Sequence, residues 1–209
     1  MYNVLLQSDS RTIQSLCQSN KIANTICHDK HFWMDKFSQE HLEALLLEPT
    51  TNYLNLYKEG EKSKELGKNI LKINEIEKNR DYNNTLGVFK VLVEDKWEMV
   101  SYLFEDQLKH IDKENVQDIQ FITFILVKNQ YQVTLVYYDH IEIDLGTYSY
   151  EQVEQLLGPL LYKNNFVRDN YNYHMIYNGE VYNNNARRAN PNNYIILMIR
   201  RGMWEIINS

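Results

Sequence analysis

The sequence predicts an α+β chain: an N-terminal helical module, then a mainly antiparallel β domain carrying one substantial helix. Three observations predict it. Up to residue 48, apolar residues recur at helical spacing, with Ile13, Leu16 and Cys17 followed by Ile22 and Ile26. Between residues 49 and 82 a mixed-charge run, KEGEKSKELGKN, separates two apolar stretches. From residue 83 the chain breaks into short runs rich in Val, Ile, Phe and Tyr, punctuated by polar turns. The expected division is therefore 1–48 helical module, 49–82 charged helical connector and 83–209 β-rich domain.

Each element has a local reason. Ser10 is placed to cap a helix over residues 10–18, Asn20 to open a second, and Asp29 a third that carries Phe32, Trp33 and Phe37. Ser38, the acidic Glu40 and the apolar run 42–47 suggest a fourth, ended by Pro49. The connector reads as a solvated helical hairpin or helical linker, with Gly60 or Gly67 marking the break. After the Asn83-Asn84 turn, residues 86–93 and 97–104 read as strands joined by Glu94-Asp95-Lys96. Residues 119–127 and 131–138 form a second hairpin around Lys128-Asn129-Gln130, and 141–145 another strand. Residues 149–161 read as a helix with Val153, Leu156, Leu157, Leu160 and Leu161 on one side, kinked or ended by Pro159. Residues 166–177 and 194–199 look like closing strands around an Asn-rich loop, 183–193.

Composition bounds the function. A chain of 209 residues, 44% hydrophobic, fills one or two domains with a sizeable core. A net charge of −6 argues against general affinity for nucleic acid or acidic membranes. No apolar run approaches the roughly 20 residues that span a bilayer, and Asp9 and Arg11 follow too soon after Val4-Leu5-Leu6 for a secretion signal. The expectation is a soluble cytoplasmic or nuclear protein whose Cys17 and Cys27 are free thiols. Asn, Lys, Ile and Tyr are abundant while Gly (7) and Pro (3) are scarce. That bias follows AT-rich codons, so surface Asn and Tyr carry little functional weight.

Catalytic signatures are absent: no phosphate-cradling Gly-rich loop, no HExxH, no GxSxG. A non-enzyme without cofactor or metal is expected. Cys17, Cys27, His28 and His31 lack the paired spacing of a zinc knuckle. Asp139, His140, Glu142 and Asp144 gather acids around a histidine, in the alternation of a solvated strand edge. Arg187 and Arg188 lie in the long polar loop beside Tyr182, the first place to look for target binding on the β domain.

The run of Leu5-Leu6, Ile13 to Asn20 (IQSLCQSN), Ile26-Cys27-His28-Asp29, Phe32-Trp33 and Lys36-Phe37 resembles an F-box-like domain, of the divergent form found in proteins of large DNA viruses. The resemblance covers under a fifth of the chain, and its pattern is mostly apolar spacing plus the aromatic pair. It implies a three-helix module that docks on a Skp-type linker of a cullin-type ubiquitin ligase while the downstream domain holds a target protein. It also implies that Leu5, Leu6, Ile13, Leu16, Ile26, Phe32 and Trp33 are docking or core positions. The alternative is a viral structural or virion-associated protein whose helical N-terminus is core packing alone.

Overall fold

Side-chain caps set the start of most of the N-terminal helices. The computed structural model describes residues 1–80, 88–93, 96–111, 119–137, 141–163, 167–169, 173–177 and 180–182. A short helix α1 (Tyr2–Leu6) leads into α2 (Ser10–Ser19), capped by Asp9, whose carboxylate accepts from the Thr12 amide at 2.7 Å. Ser10, the expected cap, is instead buried as the first helical residue, and its amide donates to the Glu61 carboxylate. Asn20 and Asp29 cap α3 (Lys21–Cys27) and α4 (Lys30–Gln39), as their sequence positions indicate.

α4 ends in a Schellman motif. His41 takes the left-handed conformation (φ 56°), the Leu42 amide donates to the Phe37 carbonyl, and the His41 amide donates to Ser38. Ser38 is thus spent inside this turn rather than capping a fourth α-helix, and the run that follows is a 3-10 helix, Glu43–Leu47.

The connector departs most from its expected form of a hairpin or linker broken at a glycine. Residues Tyr53–Arg80 form one uninterrupted helix, α5, about 42 Å long at 1.5 Å per residue. It is the spine of the molecule. Its first turns bury Leu56 and Tyr57 among the N-terminal helices, and its middle buries Leu66, Ile70 and Leu71 against the sheet. Neither glycine breaks it; both permit close approach. A Cβ on Gly67 would stand 2.9 Å from Leu157 Cβ, a rigid atom near the backbone of the neighbouring helix. A Cβ on Gly60 would meet only the methyl ends of Leu45 and Leu42, at 2.8 and 2.9 Å. Gly67→Ala is therefore expected to destabilise by about 1–2 kcal/mol, overpacking outweighing the gain in helix propensity. Gly60→Ala should fall within about 1 kcal/mol of wild type in urea unfolding, because leucine methyls can rotate away.

Beyond α5 lies an antiparallel sheet of strand order β4-β3-β2-β1-β5-β6-β7. Its strands are β1 (Val88–Leu92), β2 (Ile119–Val127), β3 (Gln130–Tyr137), β4 (Ile141–Tyr148), β5 (Val167–Asp169), β6 (Tyr173–Tyr177) and β7 (Glu180–Tyr182). The β2–β3 hairpin turns through Lys128 and Asn129, both at positive φ. Alternation places Phe89 and Val91, Phe124 and Ile122, and Val133 and Leu135 on one face in register, and α8 (Tyr150–Leu160) packs there with α5. Ser149 and Gln152 form a capping box at its start, and Pro159 stands in its last turn.

Residues 97–104 are not a strand. They form α6 (Trp97–Leu103), followed by α7 (Glu105–Leu108). Met99, Val100, Leu103 and Phe104 make a helical stripe; Val100 and Phe104 join the sheet core, while Met99 joins the core of the N-terminal helices. The Asn83-Asn84 and Glu94-Asp95 turns and strand 194–199 lie outside the described residues. Among the described residues no helix is long and apolar enough to cross a membrane.

Candidate functional site

The residues carried over from the F-box-like pattern are mostly interior. Leu5, Ile13 and Phe32 are fully buried and Trp33 is 2% exposed, while Leu6, Leu16 and Ile26 border the same core. Phe32 and Trp33 meet edge to face at 5.0 Å, Tyr53 stacks on Trp33 at 6.4 Å, and Tyr57 closes on Phe37 at 5.7 Å. The Trp33 indole N–H donates to the Cys27 carbonyl at 2.9 Å. Leu5, Ile13, Phe32 and Trp33 are accordingly packing residues, beyond a partner's reach. A buried lysine completes this core. Lys36 Nζ donates to the Leu6 carbonyl at 2.6 Å and to Glu40 at 3.1 Å, and Lys64 donates to the other Glu40 oxygen at 2.6 Å. Burial pushes the Glu40 carboxyl up, but the Lys64 and Lys36 hydrogen bonds outweigh it and hold the group below its ordinary value.

The outer side of the same helices differs. Met1 (44% exposed), Val4 (56%), Ile22 (64%) and Met34 (47%) point to solvent from α1, its N-terminal flank, α3 and α4. These helices pack on one another.

Cys17 and Cys27 are not free. A disulfide joins α2 to α3, with Cα atoms 6.3 Å apart. Nothing in their spacing required it; the helical hairpin brings together two positions that each look like a buried small hydrophobe. Reduction is expected to lower stability by about 2–3 kcal/mol, the loop-closure value for a ten-residue separation. Thiol titration under denaturing, non-reducing conditions should find no free thiol. His28 Nδ1 sits 2.7 Å from the Asn24 carbonyl and His31 Nδ1 3.2 Å from Asp29. Among the described residues no group of three or more His, Cys, Asp or Glu is placed to hold a metal.

Glu142 and Asp144 are exposed on β4, the edge strand, and Asp144 accepts from the Gly146 amide at 2.9 Å. Asp139, His140, Arg187 and Arg188 lie outside the described residues, as does the side chain of Tyr182.

A cleft of about 230 Å³ opens at the seam between the N-terminal helices and the sheet. His41, Glu43 and Ala44 supply one wall from the Schellman turn and 3-10 helix; α6 supplies Tyr102 and Leu103. Tyr148 closes it from the end of β4, and Gln152, Gln155 and Leu156 line it from one face of α8. The phenol of Tyr102 is pushed up by burial and then by the nearby Glu43 and Glu105 carboxylates. Behind the seam, Lys96 Nζ donates to the Leu160 carbonyl at 3.3 Å and to the Tyr162 carbonyl, and Lys163 pairs with Glu48. Sequence reasoning singled out none of the cleft's polar residues, because four separate elements contribute them and one of those elements read as a strand.

No protein-family model, no curated protein and no solved structure matches the chain.

Proposed function

We propose that the chain is a non-enzymatic protein-interaction adaptor that engages one partner through its N-terminal helices and a second through the sheet domain. The observation that carries this reading is the exposure of Met1, Val4, Ile22 and Met34 on mutually packed helices whose own core is already sealed. Exposed apolar side chains concentrated on one small module suit a partner's surface. The partner named by the F-box-like resemblance is a Skp-type linker of a cullin-type ubiquitin ligase, and the polar stretch of sequence around Arg187 and Arg188 is the proposed contact for the target protein.

Capture by a purified Skp-type linker tests it. Val4→Asp/Ile22→Asp/Met34→Asp should abolish capture with the melting temperature unchanged, since all three sites are solvated. Capture that persists in this variant, or no capture by wild type, sinks the proposal. The burial of Leu5, Ile13, Phe32 and Trp33 favours a second reading, a structural or virion-associated protein with a purely architectural N-terminus. Failure of linker capture together with co-sedimentation with virus particles would support that one.

A further inference from the structure

The seam cleft has properties that packing does not require. Glu43 Oε2 is buried and has no hydrogen-bond partner. A carboxylate oxygen in that state gains from any donor that reaches it, and because it has no accessible surface of its own the Glu43 side chain must turn toward the cleft to meet one. Glu43 belongs to the cleft wall, and the rest of the lining offers the rings of Tyr102 and Tyr148 and the side-chain amide of Gln155, the Gln152 oxygen being held by the Ser149 amide. No Lys or Arg is among the lining residues. Ala44, Leu103 and Leu156 add an apolar strip.

Size narrows the occupant. At about 230 Å³ the space falls below the roughly 300 Å³ at which pockets for drug-sized ligands begin. It fits one side chain. Charge narrows it further: the Glu43 and Glu105 carboxylates dominate the field at Tyr102, and the chain as a whole carries −6.

We infer that the cleft is a recognition pocket for a single arginine side chain presented by a protein partner. The guanidinium meets the Glu43 carboxylate and lies against a tyrosine face, and the methylene stem runs along Leu103 and Leu156. Arginine fits better than lysine because its planar fork offers several donors at once to a carboxylate, and it stacks on aromatic rings. The pocket shares no residue with the docking positions proposed on α1, α3 and α4.

The test uses the chain alone, so it does not depend on capture by a linker. Wild-type protein is titrated by NMR with the capped peptide Gly-Arg-Gly, with its citrulline analogue (neutral and nearly isosteric) and with Gly-Lys-Gly. The solution is held at about pH 8, above the range in which imidazoles ordinarily titrate. The arginine peptide should bind at least tenfold more tightly than the citrulline peptide and more tightly than the lysine peptide. Glu43→Gln, which keeps the shape and removes the charge, should erase the arginine preference. Tyr102→Ala, at a residue 47% exposed, should weaken arginine binding several-fold without loss of fold. Equal binding of arginine and citrulline, a preference that survives Glu43→Gln, equal binding of lysine, or no perturbation at the cleft would each overturn the inference.

Discussion

Trp33→Ala is expected to cost about 3–5 kcal/mol of stability, the range for deleting a large aromatic from a sealed core. Trp33 is 2% exposed and touches Phe32, Phe37, Tyr53 and Tyr57. Truncation leaves a cavity bounded by Tyr53 and Tyr57 of α5 as well as by Phe32 and Phe37 of α4, so the site cannot collapse without moving the spine. It also strips the indole donor from the Cys27 carbonyl in the last turn of α3. Urea unfolding followed by far-ultraviolet circular dichroism measures the loss. A cost under about 1 kcal/mol would show that the aromatic cluster is not a core. Burial also separates the variants that report on partner binding from those that report on folding. Leu5→Asp and Trp33→Ala would abolish capture by unfolding the module, whatever surface the partner uses, whereas Val4, Ile22 and Met34 can be charged without disturbing the interior.

How far the sequence reveals this arrangement depends on how local each cause is. Asn20 and Asp29 cap their own amides within three residues, so their helices are legible from sequence. The β2–β3 hairpin is legible because one face alternates strictly from Ile122 through Phe124 to Tyr131 and Leu135. The misreadings share a different cause. In WEMVSYLF the apolar residues satisfy both the period of a strand and that of a helix, and α6 forms because it can serve two cores at once. Gly60 and Gly67 look like breakers in isolation; they are interior because Leu45 and Leu157, distant in sequence, press against them. The cleft is the extreme case. His41, Tyr102, Tyr148 and Gln152 span more than a hundred residues and meet only once the sheet and the helices have docked.

That docking carries a titratable group at its centre, and stability should depend on pH accordingly. Burial lowers the Lys96 ammonium from 10.5 to about 7; Glu48 opposes the shift and Lys163 adds to it. Between pH 7 and 10 the unfolded chain holds a proton that the folded chain has released. Unfolding then takes up a proton, so stability rises with pH, by at most about 1.4 kcal/mol per unit. Below pH 7 both states carry the proton and the slope vanishes. The window closes near pH 10. Above it the phenols of Tyr2, Tyr57, Tyr148 and Tyr162, all pushed up in the fold, keep protons that the unfolded chain loses, and stability falls again. Lys96→Met should flatten the rise between pH 7 and 9.5, measured by urea unfolding across that range. The variant also removes the hydrogen bonds of Lys96 to the Leu160 and Tyr162 carbonyls, each worth about 0.5–1.5 kcal/mol. It should therefore compare best with wild type near pH 7 and worst near pH 9.5. A wild-type profile that is flat across the window would mean that those two carbonyls, at the negative end of α8, hold the ammonium charged despite its burial.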